Sequence, residues 1–247
     1  MGADGTHPTA SLKPIAASAF GAAQARRLLW RAGFGGTPSQ ALVLAEWGPE
    51  QSVDTLLNVE EALLYPAPKA DDFDGSIMPS STRAEREGIA QARRAMDEDA
   101  LARIRREREE RERKDRRQIR EMQRWWLTRM IESSRPFEEK MSLFWHGHFA
   151  TSYRTIENSY HMFQQNEMFR QQAAGSYALL LEAIIRDPAM LAYLDNNDSR
   201  KERPNENLAR ELMELFSLGE GNYSERDIKE GARALTGYTF EGNQFAF

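Results

Sequence analysis

Between Ile104 and Ile119 the chain runs for fourteen residues, "RREREERERKDRRQ", without one apolar side chain. A core strand or a buried helix would have to bury those charges without partners, which is costly. A helix standing in water accommodates them when Glu and Arg pair one turn apart. The surrounding segment, 83–124, holds 15 basic and 11 acidic residues, a net of +4, and the rest of the chain holds 18 and 27, a net of −9. Charges that alternate with no interleaved aromatic ring favour a solvated helical spacer over a nucleic-acid-binding arm, and the overall charge of −5 agrees.

Outside this run, apolar residues recur at helical spacing and helix start and stop signals punctuate them. "AAQARRLLWRA" reads as a helix, "GFGGTP" as a stop, and Thr37 or Ser39 with Pro38 as the start of a second helix. Another helix ends near Ser133 and Ser134, and the next begins at Pro136. Asp187 with Pro188, and Ser224 with Asp227, read as two further starts. No strand pattern competes before the last residues. The expected fold is all-α, an irregular multi-helix bundle with one long, charged, solvent-exposed helix.

The expected organisation is a loose arm over 1–18, N-terminal helices over 19–64, a linker and charged helical insertion over 65–124, and a helical core over 125–247 that forms one domain with 19–64. Forty per cent hydrophobic residues suffice for such a core. With no Cys, the chain itself offers no disulfide, thiol nucleophile or thiolate metal site. The first residues show no basic start followed by an apolar run, so no export signal is read and a cytoplasmic location is the default. No apolar run is long enough to span a membrane.

Four groups of residues invite chemistry. In "PNENLARELMELFSLGEG", Leu208, Leu212, Leu215 and Leu218 fall on one helical stripe and Glu211 falls within it. A buried carboxylate needs a partner, and His148 or Arg233 is the candidate, while Glu206 and Glu214 pair with Arg210 at i,i+4. In "FWHGHF", His146 and His148 point about 200° apart if the helix from Pro136 continues, and converge on a metal only if it breaks at Gly147. His161 follows Glu157 by one turn and reads as half of a surface pair. Asp195, Asn196, Asn197 and Asp198 form an oxygen-rich loop lacking the glycine and distal glutamate of a calcium loop, and read as a helix-ending loop.

The run from "DPAMLAYLDNNDSRKERPNENLARELMELFSLGEG" to "ALTGYTF" closely resembles the signature of the bacterial domain-of-unknown-function 1800 family, and "FWHGHFATS" and "RRLLWRAGFGGTP" are similar to its patterns in the same order. The resemblance implies a mostly helical bacterial protein, often exported and often encoded beside a sulfatase-like protein, which is the expected partner. It places patterned polar positions at His146, His148, Asp195, Asn205, Glu206, Arg210, Glu211, Arg233 and Thr236, and a glycine at 147 where many relatives carry Asn. It also implies that relatives continue past the final aromatic segment into a His-Asp pair, so the chain is expected to correspond to the family's N-terminal half.

Two functional readings stand side by side. One is an enzyme, a metal-dependent hydrolase or oxidoreductase, with His146, His148 and Glu211 holding a divalent transition metal and Glu211, His148 and Arg210 as catalytic groups. The other is a non-catalytic helical scaffold that docks the sulfatase-like protein. Nucleic-acid binding through the charged helix ranks below both.

Overall fold

The computed structural model describes residues 14–57, 73–79 and 83–247. Most of the arm expected over 1–18, and most of the linker expected over 65–82, lie outside these residues. The described chain is mostly helical, with eleven α-helices and one two-stranded hairpin. It divides into two compact units, Met1–Leu63 with Ser134–Phe137, and Leu64–Ser133 with Glu138–Phe247.

In the first unit, α1 (Ala22–Arg31) and α2 (Pro38–Leu57) close on Ala25, Leu29, Ala41 and Leu44. The start of α2 is the one the sequence announces. Thr37 N–H donates to Gln40 Oε1 at 2.7 Å, and Gln40 N–H donates back to Thr37 Oγ1 at 3.2 Å. Gly48, at φ 80°, then breaks α2 ahead of Pro49, and the buried Ser52 hydroxyl spans the break by donating to Leu44 O at 2.8 Å.

The second unit contains α3 (Arg83–Ala95), α4 (Glu98–Glu132), α5 (Pro136–His148, its first two residues grouped with the other unit), α6 (Tyr153–Ile156), α7 (Ser159–Gln171), α8 (Tyr177–Ile184), α9 (Pro188–Tyr193), α10 (Asn207–Glu214), α11 (Glu225–Ala234), β1 (Thr239–Glu241) and β2 (Gln244–Ala246). One core joins α5 and α7–α11 around Phe149, Phe169, Ile184, Met190, Leu208 and Ile228. A second, on α4 and α7, holds Ile119, Met122, Trp125, Met162 and Phe163, with Phe73 packed in. Asp187 caps α9 through Met190 N–H at 2.9 Å, and Ser224 and Asp227 form a reciprocal capping box on α11.

Two expectations change here. The charged segment is two helices rather than one, parted where Met96 takes φ 50° and Asp97 caps α4 through Ala100 N–H. Nor is it wholly solvated. The pairs Arg108–Glu112, Lys114–Glu110 and Arg116–Glu112 hold its exposed side, while Asp115, Gln118, Ile119, Met122 and Trp125 are buried. Asp115 enters the interior because three donors meet it there: Tyr153 Oη at 2.8 Å, Ser159 N at 2.9 Å and Ser159 Oγ at 2.6 Å. The described part of the expected linker also packs. Gln118 Nε2 donates to Asp74 O at 3.1 Å and its Oε1 accepts from Asp74 N–H at 2.8 Å.

β1 and β2 pair antiparallel, Phe240 opposite Phe245, across a Gly242–Asn243 turn. His161 Nε2 lies 3.1 Å from Gly242 O, and Asn243 Nδ2 donates to Gly75 O at 2.8 Å. A Cβ at Gly75 would lie 2.6 Å from that amide nitrogen, so a side chain there would displace the Asn243 amide from its bond. His161 is therefore 2% exposed against Phe240 rather than half of a surface pair, because α6 ends in a left-handed Glu157 instead of running on into α7. No helix among the described residues is long and apolar enough to cross a membrane.

Candidate functional site

Helix α5 runs unbroken through Gly147, and this geometry decides the fate of the two imidazoles. His146 stacks on Trp126, ring centroids 5.4 Å apart, whereas His148 lies among Phe144, Phe149, Tyr177 and Phe216 and meets Tyr177 Oη at 3.2 Å. They face different neighbours, as two residues on one helix nearly 200° apart must. Glu211 joins neither, and no hydrogen bond or ion pair to its carboxylate occurs among the described residues. The expected metal set of His146, His148 and Glu211 is thus corrected: no group of three His, Asp or Glu side chains that could hold an ion occurs among the described residues.

The apolar stripe around Glu211 is shorter than expected. Helix α10 ends at Glu214, Leu208 is buried, and Leu215 and Leu218 are exposed. Glu211 is half-buried at the helix edge, so it needs no partner in the core. Arg210 keeps Glu206 at 3.2 Å but takes Glu225 as its second carboxylate, at 3.0 and 3.1 Å, in place of Glu214, which accepts from Tyr223 Oη at 2.9 Å. Arg233, the other expected partner of Glu211, pairs with Glu230 on an exposed face.

The remaining polar positions hold loops. Asn205 Nδ2 donates to Leu194 O and Asp195 O, and its Oδ1 accepts from Asn207 N–H at the start of α10. Asp195 is exposed at φ 56° and turns the chain into a 3-10 turn at Asn196–Asp198. There Asn196, fully buried, donates to Leu235 O at 3.2 Å and Tyr238 O at 3.0 Å. Thr236 Oγ1 donates to Ala232 O at 2.8 Å and lies 3.5 Å from Ser199 Oγ. These side chains terminate helices and join the segment after α9 to the end of α11.

A different place gathers what a site requires. Ile119, Met122, Gln123 and Trp126 of α4, His146 of α5, Met162 of α7, and Thr151, Ser152, Tyr153 and Arg154 before and in α6 line a cleft of about 350 Å³. That volume lies at the small end of the range of small-molecule sites, and polar and apolar side chains share the lining. Burial holds the His146 imidazole below its ordinary pKa, so it is neutral near pH 7.

Behind the cleft lies a buried ionic cluster. Glu139, fully buried, accepts from Trp126 Nε1 at 3.0 Å, Arg129 Nε at 2.8 Å, and Arg170 Nε and Nη2 at 2.7 and 3.0 Å. Burial alone would push the Glu139 carboxyl up, and the guanidiniums of Arg170 and Arg129 outweigh it and hold it below the usual carboxylate range. Arg170 also bonds Glu167 and Asn166, and both guanidiniums lie over the Trp125 ring. Glu139 thereby fixes the indole of Trp126 on which His146 stacks.

Beside it, Thr151 donates to Gln165 Oε1 at 2.5 Å, and Gln165 Nε2 donates to Asp187 at 2.7 Å. Burial raises the Asp187 carboxyl to about 7 against the pull of its hydrogen bonds. Neither Glu139 nor Arg170 stands out in the sequence. The available signal is Glu139, Ser142 and His146 at i, i+3 and i+7, a polar line along one face of α5.

The architecture is thus a mostly helical protein whose longest helix, together with α5, α6 and α7, encloses a small cleft over a buried ion cluster. The chain belongs to the DUF1800 family: the family model described as "Protein of unknown function (DUF1800)" matches residues 27–247, nearly the whole chain. No curated protein and no solved structure matches it.

Proposed function

We propose that this chain binds a small organic molecule in the His146 cleft, and that His146 serves there as a proton acceptor in an acid–base reaction that needs no metal held by His146, His148 and Glu211. The observation that carries this reading is the His146 imidazole, held below its ordinary pKa by burial, lining a cleft together with hydroxyl-bearing Thr151, Ser152 and Tyr153 and apolar Ile119, Met122 and Met162. A general base must be unprotonated at working pH and within reach of its substrate, and an imidazole kept neutral by burial at a cleft wall meets the first condition. Trp126, fixed by Glu139, backs the ring and limits its rotation.

The test is a ligand-observed NMR screen of small aromatic and aliphatic acids, alcohols and amides against the whole chain and against Ser152→Trp. Ser152 lines the cleft and makes no side-chain cap to α6, so the larger residue fills the space without removing a hydrogen bond. Hits lost in Ser152→Trp support the reading, and hits retained in it contradict the cleft as the site.

A docking role, with a sulfatase-like protein as the partner, is favoured by a separate observation. Phe144 is 56% exposed and Tyr177 39%, both in ring contact with His148, and Leu215 and Leu218 are exposed nearby in sequence to Phe216. Apolar exposure of this kind marks contact surfaces. Co-purification of the two proteins, lost on Phe144→Asp, would support it.

A further inference from the structure

Folding sorts the charges of α4 by face. At 3.6 residues per turn, Asp115, Gln118, Ile119, Met122 and Trp125 form the buried face, and Arg113, Arg117, Arg120 and Arg124 fall within an arc of about 60° on the opposite side. All four arginines are exposed, and no carboxylate pairs with any of them among the described residues. Of the acidic residues of this stretch, Glu112 pairs with Arg108 and Arg116, Glu110 with Lys114, and Asp115 is held in the interior, while exposed Glu121 lies at the edge of the row, about 40° from Arg117. Arg113, Lys114, Arg116, Arg117 and Arg120 line one open groove with Glu110.

Between Arg113 and Arg124 the charge alternation of the sequence therefore does not reach this arc, which holds arginines alone with Glu121 and Glu110 at its edge. We infer that this arginine row is a binding surface for the phosphate backbone of double-stranded nucleic acid. The row rises about 16 Å from Arg113 to Arg124 along one face of the helix, which suits a linear array of fixed charges. Over that rise a single strand of a duplex presents about five phosphates, against four guanidiniums that bond phosphate oxygens in bidentate fashion.

The row holds no aromatic ring for bases to stack on, which disfavours a single strand. It holds no apolar seam, which disfavours an acidic partner helix. Backbone recognition of a duplex needs neither.

The experiment is fluorescence anisotropy of the full 247-residue chain with a labelled duplex DNA of about 20 base pairs, titrated from about 50 to about 200 mM salt. Four phosphate contacts are expected to give a log–log salt slope of about −3.6 and a loss of about 10²-fold in affinity across that range. The combined variant Arg113→Gln, Arg117→Gln, Arg120→Gln and Arg124→Gln is expected to flatten the slope towards zero. Its lysine counterpart, which keeps the charges, is expected to retain most of it. None of these residues is buried, so the fold is expected to survive, as circular dichroism would verify. The inference is overturned by absence of binding at the lowest salt, by a glutamine variant that binds as tightly as the parent, by tighter binding to a single strand of equal length, or by displacement of the duplex by polyglutamate at equal charge.

Discussion

The polar residues after α9 are prominent in the sequence and those between α4 and α7 are not, and the two groups do different work. Around Asp195–Thr236, side chains such as Asn196, Asn205 and Thr236 bond to backbone carbonyls, and Arg210 and Arg233 make exposed ion pairs. Between α4 and α7, a carboxylate and two guanidiniums are taken out of water beside a cleft. Local backbone bonding builds loops at little cost. Burying charge is expensive unless every group is paired, so a fully paired ionic cluster behind a cavity points to a place whose geometry matters.

The largest expected effect follows from that difference. Glu139→Ala leaves Arg170, 7% exposed, without its main partner, and should lose about 3–5 kcal/mol in denaturant unfolding, the cost of an uncompensated buried charge. A loss under about 1 kcal/mol would place the cluster with ordinary surface pairs.

Asp187 comes next. Its folded-state carboxyl titrates at about 7, above the ordinary carboxylate value, so the folded form holds a proton the unfolded chain gives up. The stabilising contribution is complete below about pH 4 and is lost as pH rises through about 7. Asp187→Asn should therefore flatten the stability profile between those values, which thermal unfolding at stepped pH would reveal.

Asn196→Ala should cost about 1–3 kcal/mol, since Leu235 O and Tyr238 O lose their donor in the interior. Gly147→Ala should raise stability by about 0.5 kcal/mol, because a Cβ there meets nothing within 4 Å and the position is helical. The smallest effect belongs to Arg233→Ala, whose exposed pair with Glu230 should leave the melting temperature unchanged within error.

What was legible in the sequence was local. Thr37, Asp187 and the Ser224–Asp227 box cap helices because the groups they bond lie within three residues. The helical class and the family were readable for the same reason, since periodicity and motif are properties of short stretches. Glu139 was not, because Arg170 lies 31 residues on and only packing brings them together. Glu211 misled because the stripe that seemed to bury it ends at Glu214, where the chain leaves the helix and exposes Leu215. His146 drew attention through a convergence with His148 that the fold does not make; it lines the cleft and stacks on Trp126 instead.

The central claim is that the working site is the His146 cleft and that the polar residues after α9 hold the fold. Crystals of the chain soaked with a panel of small organic fragments test it directly. The account expects fragment density between Trp126, His146 and Tyr153, with the surroundings of Asp195, Asn205 and Arg233 empty. Fragments clustered around Asp195, Asn205 and Arg233, with the cleft vacant, would contradict it.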